Sequence, residues 1–213
     1  MKRAKDSFMN ADDLFAQLKH PNPNLRDRAM VQIAETSDET TVPRLLALMD
    51  EDDVAYRRAA VKTLGVIGPE AIPAITDALK TSDDPTARAS CTKAMAQVAV
   101  NYPDDPFPES GIAGLKLALA DTNPVVHISA IMTLGAIGAP VLDILIDELR
   151  TSDNPAKGVA IANALGSIGE QQAIEVLTEV ANDESVDSYV RESATSAISR
   201  AEMIANYRKA SPQ

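Results

Sequence analysis

The amino-acid sequence predicts an all-α fold, an α–α superhelix in which about six helical hairpins stack into one solenoid. The first basis is an internal repeat. An anchor residue, with Asn or Asp seven positions before it, recurs at intervals of 31, 31, 39, 31 and 33 residues. A period of about 20 to 50 residues is typical of solenoids. The six anchors are Ala29, Ala60, Cys91, Ala130, Ile161 and Ala194.

The second basis is a start signal for the second helix of each hairpin. The Asn or Asp side chain accepts hydrogen bonds from the free amides of the first turn. In four repeats proline follows, and at the first helical position its missing amide costs nothing. The signal residues are Asn22, Asp53, Asp84, Asn123, Asn154 and Asp187. Glycines that favour helix ends follow in three repeats, at Gly65, Gly68, Gly135, Gly138, Gly166 and Gly169.

The third basis is a set of apolar residues at steps of three and four in the first helix of each hairpin. This spacing places them on one face of a helix, which predicts that the face is buried. The members are Leu14, Leu18, Val42, Leu45, Leu46, Met49, Ile72, Ile75, Leu79, Ile112, Leu115, Leu119, Leu142, Leu145, Leu149, Ile174, Leu177 and Val180.

These patterns also set the predicted boundaries of the solenoid. Residues 1–10 form an N-terminal segment and residues 11–207 a single array of repeats. The last helix is expected to begin at Ser188 and to run through Met203. Residues 208–213 are then a polar tail that frays.

An insertion at residues 101–110 lengthens the 39-residue interval. Its three prolines exclude a regular helix. Insertions in solenoids form loops on one edge, which is frequently the binding edge. Two interpretations of Tyr102 and Phe107 stay open. Their rings either cover exposed helix ends or contact a partner.

Net charge, cysteine count and the length of apolar runs exclude several classes of protein. The chain of 213 residues has a formal net charge of −11, which disfavours a general nucleic-acid binder. A single cysteine excludes an intramolecular disulfide and fits a reducing compartment. The basic start, Met1–Lys5, lacks the apolar run of a secretory signal. Because no apolar run reaches the roughly 20 residues that span a bilayer, we expect a soluble cytoplasmic protein without membrane insertion.

The sequence offers no catalytic or metal-binding constellation. His20, His127 and Cys91 are too few for a structural zinc site, which needs four such ligands. Cys91 occupies an anchor position and is expected to be a buried small hydrophobe. His127 stands where most repeats have arginine, so it either satisfies the turn or contacts a ligand. We therefore predict no catalytic residue and no metal site.

The repeat resembles a known family most clearly in two stretches, Tyr56–Gly68 and Asp121–Gly138. Their pattern is similar to the HEAT repeat and, more narrowly, to the short HEAT-like repeat of the phycobilin lyase family of cyanobacteria and red algae. The resemblance extends roughly from Ala11 to Tyr207. Two positions depart from it, because the usual arginine three residues before the anchor is His127 in the fourth repeat and Gly158 in the fifth.

The resemblance implies a phycobilin lyase or a bilin-handling protein that assists attachment to, or turnover of, phycobiliproteins. Lyases of this family attach an open-chain tetrapyrrole to a cysteine, frequently as two subunits. The implied partners are a phycobiliprotein subunit or a partner lyase subunit, with a transiently bound bilin rather than a resident cofactor. The implied compartment is the cyanobacterial cytosol or the plastid stroma. A non-enzymatic HEAT scaffold, for the phycobilisome or for iron–sulfur assembly, is the alternative.

The candidate binding residues lie two positions before and two after each anchor. In HEAT arrays the second helices line the concave side, and these positions vary as exposed ones should. They supply three cations, Arg58, Lys62 and Lys93, beside an apolar patch of Ile128, Met132 and Val159. Three interpretations stay open: ordinary solvated positions, a groove for a charged partner helix, or a contact for the propionates and rings of a bilin.

Overall fold

The computed structural model describes residues 9–210, and within that range the chain forms twelve α-helices and no strand. Short 3₁₀ turns at Pro69–Ala71 and Ala139–Val141 lead into two of the helices. The helices are α1 (Ala11–Gln17), α2 (Pro23–Glu35), α3 (Thr41–Leu46), α4 (Val54–Ile67), α5 (Ile72–Thr81), α6 (Pro85–Asn101), α7 (Glu109–Leu119), α8 (Pro124–Ile137), α9 (Leu142–Thr151), α10 (Pro155–Ile168), α11 (Gln171–Asn182) and α12 (Ser188–Ala210).

The helices form six consecutive hairpins, from α1–α2 to α11–α12, which confirms the predicted all-α solenoid. The second helices of successive hairpins pack directly against one another, in the order α2, α4, α6, α8, α10 and α12. They form a continuous layer. We call the exposed side of this layer the second-helix face.

The predicted start signals all operate as caps. Each of the six Asn or Asp side chains accepts a hydrogen bond from a first-turn amide. The carboxylate of Asp84, for example, accepts from the amides of Thr86 at 2.6 Å and Ala87 at 2.9 Å. The latter bond is the main reason why the pKa of Asp84 lies below its ordinary value. A cap of this kind stabilises a helix by about 1 kcal/mol.

The anchors lie at the centre of the core, and all six are fully buried. Glycines then bring neighbouring second helices close together. A Cβ added at Gly65 of α4 would lie 2.3 Å from the Cβ of Gln97 on α6. One added at Gly166 of α10 would lie 2.7 Å from the Cβ of Ala197 on α12. At both positions only glycine permits the observed approach.

Two boundaries differ from the predicted ones. The non-helical part of the insertion is residues 102–108, because α6 runs through Asn101 and α7 begins at Glu109. The last helix continues through Ala210, past Met203 and into the predicted tail of residues 208–213. In this last part Arg208 contacts Glu170 at 3.1 Å. Residues 1–8 of the predicted N-terminal segment and residues 211–213 lie outside the described range.

None of the helices between residues 9 and 210 combines the length and the apolar character that crossing a bilayer requires.

Candidate functional site

An apolar trough runs along α8 and α10 on the second-helix face and ends beneath the insertion. Two cavities, of about 530 Å³ and about 420 Å³, share wall residues and therefore form one depression. Both volumes fall within the roughly 300–1,000 Å³ range of small-molecule sites. The shared wall residues are Gly135, Ala136 and Ser167. The trough is lined further by Tyr102, Phe107, Ile112, Ile128, Met132, Ile137, Ala160, Ala164 and Ile168, among others.

The aromatic residues of the insertion form one end of the trough. The Tyr102 hydroxyl donates a hydrogen bond to the carbonyl of Val66 at 2.6 Å, and its ring lies against Gly68. The ring of Phe107 lies against Gly111 in the same way. Both side chains are half-buried, and both line the larger cavity. The rings therefore cover helix ends, as one interpretation expected, and both residues also line the cavity.

Two arginines of α12 border the trough. Arg208 lines the larger cavity and pairs with Glu170, and both side chains are largely exposed. Arg200 donates to the side-chain oxygen of Asn163 at 3.0 Å, and Asn163 lines the smaller cavity. Guanidinium groups bind carboxylates well because their donors match the two oxygens. The trough thus combines an apolar floor with Arg208, which is paired with Glu170, and the neighbouring Arg200 on the α12 side. Asp105 of the insertion also lines the larger cavity.

Glycines of α10 hold α12 close to the trough. A Cβ added at Gly158 would lie 2.8 Å from the side chain of Val190, and one added at Gly169 would lie 2.6 Å from that of Ile204. Gly158 is one of the two departures from the family pattern. Its absent side chain admits Val190 of α12, so the departure has a packing reason.

The predicted cations lie elsewhere on the same face. Arg58 and Lys62 line a groove of about 280 Å³ between α2 and α4. Lys93 lines a second groove, of about 220 Å³, where α4, α6 and the start of α8 meet. We call these two the cationic grooves. Neither shares a residue with the trough.

The structure thus separates the residues that the sequence placed in one groove. Ile128 and Met132 enter the trough, and Met132 is 67% exposed there. Val159 is half-buried and does not line it. The reason is geometric: each cavity lies between particular neighbouring helices, so equivalent positions in successive repeats face different spaces. A role of these residues in binding stays a prediction.

Cys91 and His127 are structural. Cys91 is fully buried, and burial raises the pKa of its thiol to about 12, so a thiolate is not formed at neutral pH. The Nδ1 atom of His127 lies 3.1 Å from the carbonyl oxygen of Asp121, six residues earlier. The first three repeats use arginine for this contact. Arg26, Arg57 and Arg88 donate to the carbonyls of His20, Glu51 and Ser82, each six residues earlier.

Sequence reasoning missed Arg200 and Arg208. Arg208 was assigned to the polar tail, and Arg200 lies six positions after its anchor, outside the positions considered. A helix pattern extended past Met203 would have included Arg208, whereas Arg200 already lies inside the predicted helix and was missed because of its position relative to the anchor. Among residues 9–210, no three His, Cys, Asp or Glu side chains group so as to hold a metal ion.

Comparison with known proteins gives consistent matches. A family model for HEAT repeats matches residues 11–96 and 112–199, and the insertion lies between the two segments. The chain is 51% identical to the uncharacterized phycocyanin operon protein Z of Pseudanabaena tenuis (strain PCC 7409), over 94% of this chain and 100% of the relative. It is 38% identical to the bilin biosynthesis protein CpeZ of Synechococcus sp. (strain WH8020), over 81% of this chain and 95% of the relative.

Among solved structures, a chain from the complex of CpcE and CpcF of phycocyanin lyase from Nostoc sp. PCC7120 is similar, with a TM-score of 0.49 and 22% identity. The match covers 72% of this chain and 96% of that one. A designed armadillo repeat protein in complex with a (KR)4 peptide also has a TM-score of 0.49, with 13% identity, over 91% of this chain and 100% of its own.

Proposed function

Because the chain belongs to the HEAT-repeat family, and within it to the group that includes phycocyanin operon protein Z and CpeZ, we propose that it handles bilins during chromophore attachment to phycobiliproteins. The names of these two relatives refer to a phycocyanin operon and to bilin biosynthesis. In this proposal the apolar trough holds the bilin. The observation that carries it is the continuous trough bordered by Arg200 and Arg208.

The chemistry of a bilin matches the trough. A bilin is an open chain of four pyrrole rings with propionate side chains, so it needs apolar contact along its length and cations near its carboxylates. Tyr102 and Phe107 offer ring faces at one end, and Ile128 and Met132 offer aliphatic contact along α8. The α12 arginines lie on the side where propionates would be neutralised.

The role of the chain in this proposal is positioning. The nucleophile is the acceptor thiolate of the phycobiliprotein, since burial of Cys91 removes the one thiol that this sequence contains. Holding the bilin extended and partly shielded from water orients it for attack, and orientation alone accelerates a reaction between two bound groups. The proposal places the protein where phycobiliproteins mature, in the cyanobacterial cytosol or the plastid stroma, together with an acceptor or partner lyase subunit.

Titration with phycocyanobilin tests the proposal. The absorbance spectrum of the bilin should shift on addition of the protein, because an extended conformer absorbs differently from the free helical one. Met132→Asp should weaken binding about tenfold or more, since it places a charge on the apolar floor. Met203→Asp is the matched control, because Met203 is 70% exposed on α12 but does not line the trough.

The two variants separate the outcomes. Retained binding by Met203→Asp with loss by Met132→Asp supports the trough. A wild-type protein that causes no spectral shift, alone or with an acceptor subunit, contradicts the proposed function. Equal effects of the two substitutions contradict the site.

A further inference from the structure

The cationic grooves reverse the charge of the protein locally. The chain has 31 Asp and Glu against 20 Lys and Arg. Yet the residues that line the two grooves include one acidic side chain, Asp27, and five basic ones. The five are Arg26, Arg57, Arg58, Lys62 and Lys93. The function proposed above makes no use of these grooves.

The five cations divide into two kinds. The guanidinium groups of Arg26 and Arg57 donate to backbone carbonyls and hold their own turns in place. The other three, Arg58, Lys62 and Lys93, are exposed and form no ion pair with any carboxylate of residues 9–210. Their charges are therefore available to an external anion.

The spacing of the exposed cations fits a polypeptide. Arg58 and Lys62 are four residues apart on α4, so they project from one face about 6 Å apart. This distance matches two carboxylates four residues apart on a facing helix, or two residues apart on an extended segment. Small residues lie beside the cations, Ala55 and Ala59 in one groove and Ala89 and Ser90 in the other. They leave room for a backbone to approach.

The same grooves are poorly suited to nucleic acid. No aromatic side chain lines either one, so there is no platform on which a base could stack. The net charge of −11 would also repel a long polyanion that extends beyond the grooves. A short acidic stretch of a protein avoids both costs.

We propose that the cationic grooves bind an acidic segment of a partner protein, on the same face as the apolar trough. The inference does not depend on bilin binding. The part of the second-helix face formed by α2, α4 and α6 would then contact a protein. Arg58, Lys62 and Lys93 would neutralise the carboxylates of the acidic segment. Association through such contacts is steered by charge, so it weakens steeply with ionic strength.

The probe for the test is a fluorescein-labelled helical peptide with Glu at positions four residues apart, measured by anisotropy at low salt. A peptide with Gln in place of Glu is the charge control. The triple variant Arg58→Glu, Lys62→Glu, Lys93→Glu should bind the acidic peptide at least about tenfold more weakly than wild type. A second triple variant is the control: Lys80→Glu, Lys116→Glu, Lys209→Glu. It changes the net charge by the same amount, at exposed positions outside the grooves. It should bind the acidic peptide within about twofold of wild type.

Thermal unfolding followed by circular dichroism checks that both triple variants fold. A single variant, Lys62→Gln, removes one charge without reversing it and so perturbs the fold less. It should weaken binding about threefold. Failure of the wild type to bind the acidic peptide, equal loss in the two triple variants, or equal binding of the Gln peptide would overturn the proposal. Tighter binding of a single-stranded oligonucleotide of equal charge would replace it with nucleic-acid binding. None of these readouts uses a bilin, so failure here leaves the proposed function separately testable.

Discussion

The two halves of the second-helix face share the same pattern of helix caps and buried anchors, but the side chains that they expose differ in chemical character. In both, a cap lies seven residues before a fully buried anchor. In the half formed by α2, α4 and α6, the exposed positions carry Arg58, Lys62 and Lys93. In the half formed by α8, α10 and α12, the equivalent positions of α8 carry the half-buried Ile128 and the exposed Met132. The repeat therefore fixes the fold through its buried positions and leaves the exposed positions free to differ in function.

The insertion lies at the boundary between the halves and belongs chemically to the second. It closes one end of the apolar trough with Tyr102 and Phe107 while it is tied back to α4 through Val66. An ion pair also joins the halves. Arg88 of α6 contacts Asp121 before α8 at 2.7 Å, with both side chains mostly buried. Substitutions inside the second half and at this ion pair would test how independent the two halves are.

The largest effect is expected at the close contact between α10 and α12. Gly166→Ala would place a Cβ 2.7 Å from Ala197 and 3.0 Å from its backbone. Because backbone must move, we expect a loss of about 3 kcal/mol in the free energy of unfolding, measured in urea. The bilin affinity should fall as α12 shifts, while binding of the acidic peptide stays unchanged in the folded protein.

Gly138→Ala serves as the comparison for that substitution. Gly138 has a φ of +84°, and a Cβ there would meet nothing within 4 Å. Its ψ of −139° lies close to a region that residues with a side chain scarcely adopt, so the cost is that of the backbone conformation alone, about 1 to 2 kcal/mol. Equal costs at the two glycines would contradict the assignment of Gly166 to close packing.

A smaller effect is expected at the Arg88–Asp121 ion pair. The side-chain hydrogen bond from Arg88 holds the pKa of Asp121 below its ordinary value. Since folding lowers this pKa, the pair stabilises the protein above the unfolded value of about 4, and that stability is lost as pH falls through the folded value. Asp121→Asn should cost about 2 kcal/mol at pH 7 and make stability less dependent on pH below 4.

Asp12→Asn is the matched control for this prediction. Asp12 also pairs with an arginine, Arg44 at 2.8 Å, but its side chain is 87% exposed. An exposed pair contributes little, so the free energy of unfolding should change by less than about 0.5 kcal/mol. If both substitutions reduce the pH dependence of the free energy of unfolding below pH 4 equally, the Arg88–Asp121 pair does not join the two halves as described.

The sequence predicts the features that all repeats share, but it does not predict the apolar trough that distinguishes the second half. Caps, anchors and the burial of Cys91 follow from local spacing, and the structure confirms each. The trough does not follow from it, because its wall combines α8 with the insertion and with the part of α12 that extends into the predicted tail. On that helix Arg208 contacts Glu170, which is 38 residues away in the sequence, and Ile204 packs against Gly169. Spacing within one repeat carries no such information.

The central claim is that the two halves bind different partners, and a crossed binding experiment tests it most directly. One variant pair, Arg200→Ala with Arg208→Ala, removes the cations beside the trough. The other, Arg58→Ala with Lys62→Ala, removes those of a cationic groove. Each protein is titrated with phycocyanobilin, followed by absorbance, and with the acidic peptide, followed by anisotropy.

We expect each variant pair to weaken binding of one ligand and not of the other. The α12 pair should lower bilin affinity about tenfold and leave peptide binding unchanged. The α4 pair should lower peptide affinity about tenfold and leave bilin binding unchanged. If either pair weakens both ligands equally, or if neither affects its own ligand, the division of the second-helix face into two binding regions is contradicted.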